Sequence, residues 1–429
     1  MAGLNVRATY SSFSNRIARE RKPVEPILAF LLVLTFLCSS QIQAQTLQVL
    51  YTFKGGPDGG NPSGGLIQDS SGNLFGTTRR GGLKDCVRSN YCGTVFKIDT
   101  SGKEHVIYRF KGLSHGGDGQ QPLSGLLLDS SGRIYGTTYE GGNSRGTVFG
   151  LNNLGKETIL HRFLVHGNGD GANPDGALTA DGAGNFYGSA SEGGISTYCL
   201  GGCGVVFKIN KKSEETVLYR FDFTQSNGDG AFPLGSVILD SKSNLFGTTY
   251  AGGSGCRNGC GTIFELNVAG EETFQYSFTG PPDGSYPQVG LIRDKRGNFY
   301  GSTQQGGTGT CFGYTGCGTI FMLDRSGRES VLYSFKGIPD GQIPGALILA
   351  SDGSFYGNTA IGGDLQFGTI FKLDANGKET VLYSFSGKSD GAYPVGSLVR
   401  DKAGNLFGTT AEGGDTACSC GVVFKLTPR

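Results

Sequence analysis

One short segment returns seven times along this chain of 429 residues. Asn73-Leu74-Phe75-Gly76-Thr77-Thr78 recurs, with variations, around Gly136, Gly188, Gly247, Gly301, Gly357 and Gly408. The spacings are 60, 52, 59, 54, 56 and 51 residues. Self-similarity at a period of this size marks a repeat architecture. The seven copies fill residues 45–429 and leave no room for a second domain.

Each unit reads as four short strands. In the first, Gly65–Asp69 ends in a tight turn and pairs with Asn73–Thr78; a loop opening on Gly81-Gly82 leads to Gly93–Asp99, and a second tight turn leads to Glu104–Phe110. Val, Ile, Phe, Tyr and Thr dominate these runs, as a pleated, packed surface favours. With 76 glycines, 2 methionines and no tryptophan, long packed helices are not expected. Apolar side chains fall on both faces of the inner strands, so each small sheet must be sandwiched between neighbours. Four-stranded units packed in tandem predict an all-β fold, a single seven-bladed β-propeller with four antiparallel strands per blade. The ends of the repeat are out of phase. Leu47–Phe53 matches a fourth strand and Gly421–Leu426 a third, so the N-terminal strand is expected to complete the last blade and close the ring, leaving no orphan edge.

The segments Gly-Asn-Leu-Phe-Gly-Thr-Thr, Gly-Thr-Val-Phe-Lys and Glu-Thr-Val-Leu-Tyr-Ser-Phe resemble the GloVer tandem repeat of secreted bacterial proteins over residues 46–427. The resemblance implies export and a repeat domain, often carried with interchangeable C-terminal anchors. It supplies no catalytic residues to carry over. No sorting tail follows Thr427-Pro428-Arg429, a departure from that pattern.

Residues 1–44 read as a secretory signal peptide: Arg16, Arg19, Arg21 and Lys22 precede an apolar run from Ile27 to Cys38, and cleavage is expected after Ala44. The apolar run is short for an uncleaved anchor. Removing this segment leaves 32 Lys and Arg against 34 Asp and Glu, a net charge of −2. That balance predicts no nucleic-acid partner and no stable membrane insertion after cleavage. A secreted monomer without cofactor is expected, with an extracellular glycan or protein as ligand.

Asp-Gly-x-x-Pro begins at Asp58, Asp118, Asp170, Asp229, Asp283, Asp340 and Asp390. A copy in every unit predicts a turn, with Asp capping amides and Gly at positive φ, over a calcium site, which needs several converging oxygens. The ten cysteines left after the signal fall as Cys86/Cys92, Cys199/Cys203, Cys256/Cys260, Cys311/Cys317 and Cys418/Cys420, each pair between the second and third strands of its unit. The two units without cysteine have loops of 3 and 4 residues there; the other five have 6 to 10. Five loop-stapling disulfides are predicted over shared zinc sites, the two-residue pair at Cys418 being the most strained.

Because chain direction alternates, these variable loops share a face with the connections between units, and that face is where binding is expected. Candidate residues there are Arg80, Glu140, Glu192 and Glu412 before the paired glycines, His115 and His166 in the connections, and the loop aromatics Tyr91, Tyr198, Phe312 and Tyr314. The other two histidines, His105 and His161, fall in outer strands. A binding module is the favoured reading, with no assigned catalytic residue or metal ligand. The alternative is an exported glycoside hydrolase or lyase, for which a suitably spaced carboxylate pair is required.

Overall fold

The third strand of each unit shows why the chain forms blades. In Thr94–Ile98, Val205–Ile209, Thr262–Leu266, Thr319–Leu323 and Thr369–Leu373, every residue but the fourth is buried, so both faces of the strand are covered. The computed structural model describes residues 45–428 except 84–91, 113–116, 165–168, 224–228, 257–258, 312 and 314. Seven antiparallel blades follow in chain order, each running from an inner first strand to an outer fourth. Blade 1 is built of Gly60–Pro62 with Ile67–Gln68, then Leu74–Arg80, Thr94–Ile98 and Glu104–Arg109.

The ring closes as the phase of the repeat requires. Thr46–Thr52 pairs antiparallel with Val422–Thr427, from Thr46 opposite Thr427 to Thr52 opposite Val422, and the order in blade 7 ends on this N-terminal strand. Each junction between blades then carries one edge-to-face phenylalanine pair, a fourth-strand ring against a third-strand ring of the next blade. Phe110–Phe149, Phe221–Phe264 and Phe335–Phe371 have centroids 5.1, 5.2 and 5.2 Å apart. Phe53–Phe96 supplies the same contact, at 5.1 Å, across the closing junction. Beside these rings, a β-carbon on any of the second-strand glycines would strike the third-strand phenylalanine; at Gly76 it would lie 2.6 Å from Cζ of Phe96.

The inner strand differs from expectation. It is split in blade 1 into Gly60–Pro62 and Ile67–Gln68 but runs unbroken as Ala392–Arg400 in blade 7, and in every blade the residue before the motif proline is left-handed. Asn61, Gln121, Asn173, Phe232, Tyr286, Ile343 and Tyr393 all hold φ between 53° and 60°. Such a conformation costs about 1 kcal/mol or more for a non-glycine residue, so a seven-fold recurrence needs a compensating bond. Each of these N–H groups donates to the carbonyl just before the third-strand glycine of the preceding blade. Asn61 bonds Cys420, Gln121 bonds Cys92, Phe232 bonds Cys203, Tyr286 bonds Cys260 and Ile343 bonds Cys317; Asn173 and Tyr393 bond Arg145 and Phe367 in the two blades without cysteine. The motif proline then packs over that glycine, as Pro122 does 2.6 Å from a β-carbon built on Gly93.

The motif aspartates are caps, as the turn reading requires. Asp340 accepts the Lys336 N–H at 2.9 Å and the Tyr333 hydroxyl at 2.9 Å. The glycine after it departs from expectation. It has positive φ at Gly59, Gly119 and Gly391 only. At Gly171, Gly230, Gly284 and Gly341 the demand is steric; a β-carbon on Gly341 would lie 2.2 Å from Cγ2 of Thr359.

Four of the predicted disulfides are formed, Cys199–Cys203, Cys256–Cys260, Cys311–Cys317 and Cys418–Cys420. Cys92 is also disulfide-bonded, while Cys86 lies outside the described residues. In all five blades the second cysteine is the one whose carbonyl holds the next blade. The staple therefore does more than restrain a loop: it fixes an acceptor at a blade junction.

Candidate functional site

Four of the left-handed residues turn their side chains toward the preceding blade, at the end that opens into the variable loops, while Gln121 reaches Glu140 of its own blade. Asn61 donates its amide to the Ala411 carbonyl at 2.8 Å, and Asn173 donates to that of Tyr139 at 3.0 Å. The Tyr286 ring lies 5.0 Å from that of Tyr250, and Tyr393 lies 5.9 Å from Phe367. These residues form a collar on the loop face. The charge of Arg79, exposed at the end of the second strand of blade 1, lowers the pKa of Asp175, just after the motif proline of blade 3.

Asp175 keeps some accessible surface, yet it is enclosed enough that burial, opposed by Arg79, pushes its carboxyl up to about 6. Nearby, Glu140 accepts amide hydrogens from Gln120 at 2.6 Å and Gln121 at 3.1 Å. Glu192 pairs with Arg145 at 3.3 Å, and the same guanidinium nitrogen donates to the Asn173 side chain at 3.3 Å. Burial raises the Tyr139 hydroxyl pKa, and the charges of Glu192, Asp175 and Glu140 raise it further.

The structure thus brings Glu140 and Glu192 to one quadrant with Tyr139. Arg80 is exposed at the end of its strand in the same blade as Arg79. Glu412 is exposed in blade 7, opposite Ala392, and Tyr198 is 67% exposed in its own stapled loop. His115, His166, Tyr91, Phe312 and Tyr314 lie outside the described residues. Sequence reasoning missed Arg79, Arg145 and Asp175. A column-by-column reading of the repeat holds the signal for two of them. Asp175 stands where other units have Ser63, Leu123, Leu234, Gln288, Gly345 and Val395, and Arg79 stands where they have Tyr139, Ser191, Tyr250, Gln304, Ala360 and Ala411.

The collar is two-sided. Its charges come from blades 1 to 3 through Arg79, Arg80, Glu140, Asp175 and Glu192, with Glu412 the exception in blade 7. Blades 4 to 7 contribute Tyr250 at the position of Arg79, and Phe232, Tyr286, Ile343 and Tyr393 where blades 1 to 3 have Asn61, Gln121 and Asn173, all five half-buried.

A closed ring of seven repeated four-stranded sheets defines a β-propeller repeat protein. The model of the Gloeobacter/Verrucomicrobia repeat matches residues 37–254, 199–315 and 311–429, and the chain belongs to that family. No curated protein matches it by sequence. Among solved structures, it is similar to the extracellular domain of the putative one-component system BT4673 from B. thetaiotaomicron, with 10% identity and a TM-score of 0.52 over 89% of this chain and 40% of that one. It is also similar to BamB from Moraxella catarrhalis, at 12% identity and a TM-score of 0.48 over 85% of each chain. A third is the gluconolactonase XC5397 from Xanthomonas campestris, at 11% identity and a TM-score of 0.42 over 91% of this chain and 93% of that one. At these identities the likeness is one of fold.

Proposed function

We propose that this protein is an exported binding propeller that takes a carbohydrate chain across the loop-face mouth. The observation that supports this is the two-sided collar. Sugar rings present an apolar face that stacks on aromatic side chains and a rim of hydroxyls that seeks amides, guanidinium and carboxylate groups. Tyr250 with Tyr286 offers the first; Arg79, Glu140 and Glu192 offer the second. Glu140 and Glu192 are each already held by donors, which suits recognition better than proton transfer. Export is supported by the disulfides, which persist in oxidising compartments. Among the described residues, no helix is long and apolar enough to cross a membrane.

The test is a glycan array followed by calorimetry on the tightest hit. Tyr250→Ala with Tyr286→Ala should weaken binding about tenfold or more, and Lys103→Ala, Lys156→Ala and Lys378→Ala on the opposite turns should leave it unchanged. Loss of binding in the lysine set, with the tyrosine set unaffected, would place the site on the other face.

A second reading, a polysaccharide-cleaving enzyme, is favoured by Asp175 alone, whose raised pKa suits a general acid. Release of new reducing ends by the wild type, abolished in Asp175→Asn, would establish it over the binding reading.

A further inference from the structure

At six of the seven blade junctions a fourth-strand tyrosine serves the motif aspartate: Tyr51 reaches Asp58 at 3.0 Å, Tyr108 reaches Asp118 at 2.6 Å and Tyr383 reaches Asp390 at 3.0 Å. A glutamate from the fourth strand of the next blade joins them at most junctions. The Tyr108 hydroxyl lies 2.6 Å from Asp118 and 2.8 Å from Glu157, so one hydroxyl proton is shared between two carboxyl groups. Between blades 2 and 3 the tyrosine is replaced by His161. That substitution exchanges a proton donor for a ring nitrogen whose lone pair can bind a metal. His161 Nε2, Asp170 and Glu215 place ligand atoms within 4.8 Å of one another.

We propose that His161, Asp170 and Glu215 bind a divalent transition-metal ion of the zinc type, joining blades 2 and 3. Three further observations fit. The Nε2–Asp170 separation is 3.4 Å, longer than the tyrosine–aspartate bonds of 2.6–3.1 Å at other junctions; it is close to the edge, about 3.3 Å, of a tetrahedron with zinc–ligand bonds of about 2.0–2.1 Å. Oε1 of Glu215 is buried with no hydrogen-bond partner. The equivalent atom is also unpartnered at five other junctions, but there no imidazole completes a ligand set. The imidazole and Asp170 side chains retain 18% and 10% exposure, which admits an ion and a water for the fourth position. Arg220 is the nearby cation, and its Nε is engaged by the Gly169 carbonyl at 2.8 Å. One imidazole with two carboxylates selects a zinc-like ion over calcium, which wants six to eight oxygens.

The test uses chelator-treated protein freed of any affinity tag. Calorimetry with zinc chloride should show one bound equivalent, and cobalt chloride should give the visible bands of a four-coordinate site. His161→Tyr installs the residue of the other six junctions and is therefore compatible with the fold; it should weaken zinc binding at least about 100-fold, and Glu215→Gln at least about tenfold. His105→Gln, which alters an imidazole paired with Asp99 on an outer strand, should bind as the wild type does. Wild-type binding no tighter than that of His161→Tyr, or loss of binding in His105→Gln, would overturn the assignment.

Discussion

Replacing Phe53 by alanine tests ring closure most directly. Phe53 is fully buried although it lies within the first ten residues of the described chain. It packs with Leu66, Leu74, Phe96 and Ile98 of blade 1 and with Phe407, Cys420 and Val423 of blade 7, so one side chain fills the gap between the first and last blades. Truncation removes a complete phenyl ring from a site with no solvent access. Burial loss and the residual cavity together cost about 3–5 kcal/mol, of which the edge-to-face contact with Phe96 contributes about 1 kcal/mol. Phe335→Ala is the internal standard. Phe335 is equally buried and faces Phe371 with the same geometry, but its strand sits mid-chain between covalently continuous blades. If the N-terminal strand seals the ring as tightly as the other junctions, the two variants should lose similar stability in urea unfolding followed by far-ultraviolet circular dichroism. A cost below about 1 kcal/mol for Phe53→Ala beside several for Phe335→Ala would show that Thr46–Thr52 is a loosely held edge, and the closure argument would fail.

The junction glutamates predict a pH dependence. Burial raises the carboxyls of Glu157, Glu272, Glu329 and Glu379 from 4.5 to about 7 in the folded chain. Between those values the folded protein holds more protons than the unfolded one, so stability from this source is full below about pH 4.5 and is lost as pH rises through 7. The urea midpoint should therefore fall from pH 6 to pH 8, and Glu329→Gln with Glu379→Gln should flatten the fall; an unchanged slope in that variant would refute the assignment. The disulfides make a prediction about amide exchange. Reduction should speed exchange at Phe232, Tyr286 and Ile343, whose N–H groups bond cysteine carbonyls, and leave Asn173 and Tyr393 unchanged. Uniform acceleration at all five would refute the link between the staples and the hydrogen bonds that join the blades.

The number of blades, the strand order, the closing strand and four of the five cysteine pairs were legible in the chain because each rests on local chemistry repeated from unit to unit. A glycine that recurs beside a phenylalanine, or a cysteine two to six positions from another, carries its meaning within its own unit. The left-handed residues were not legible. Asn, Gln, Phe, Tyr and Ile share no side-chain property that demands positive φ, and the demand comes from a carbonyl on the preceding blade. The same reason hid the site. Arg79 and Asp175 stand about a hundred residues apart, one at a strand end and one just past a motif proline, and the charge of one acts on the other only in the folded ring. His161 looked like an outer-strand histidine until the junction set it beside an aspartate from its own connection and a glutamate from the next blade. What repeats was determined by the sequence, since every unit must solve the same packing problem; where the seven units part company, only the closed tertiary structure decided which departures meet.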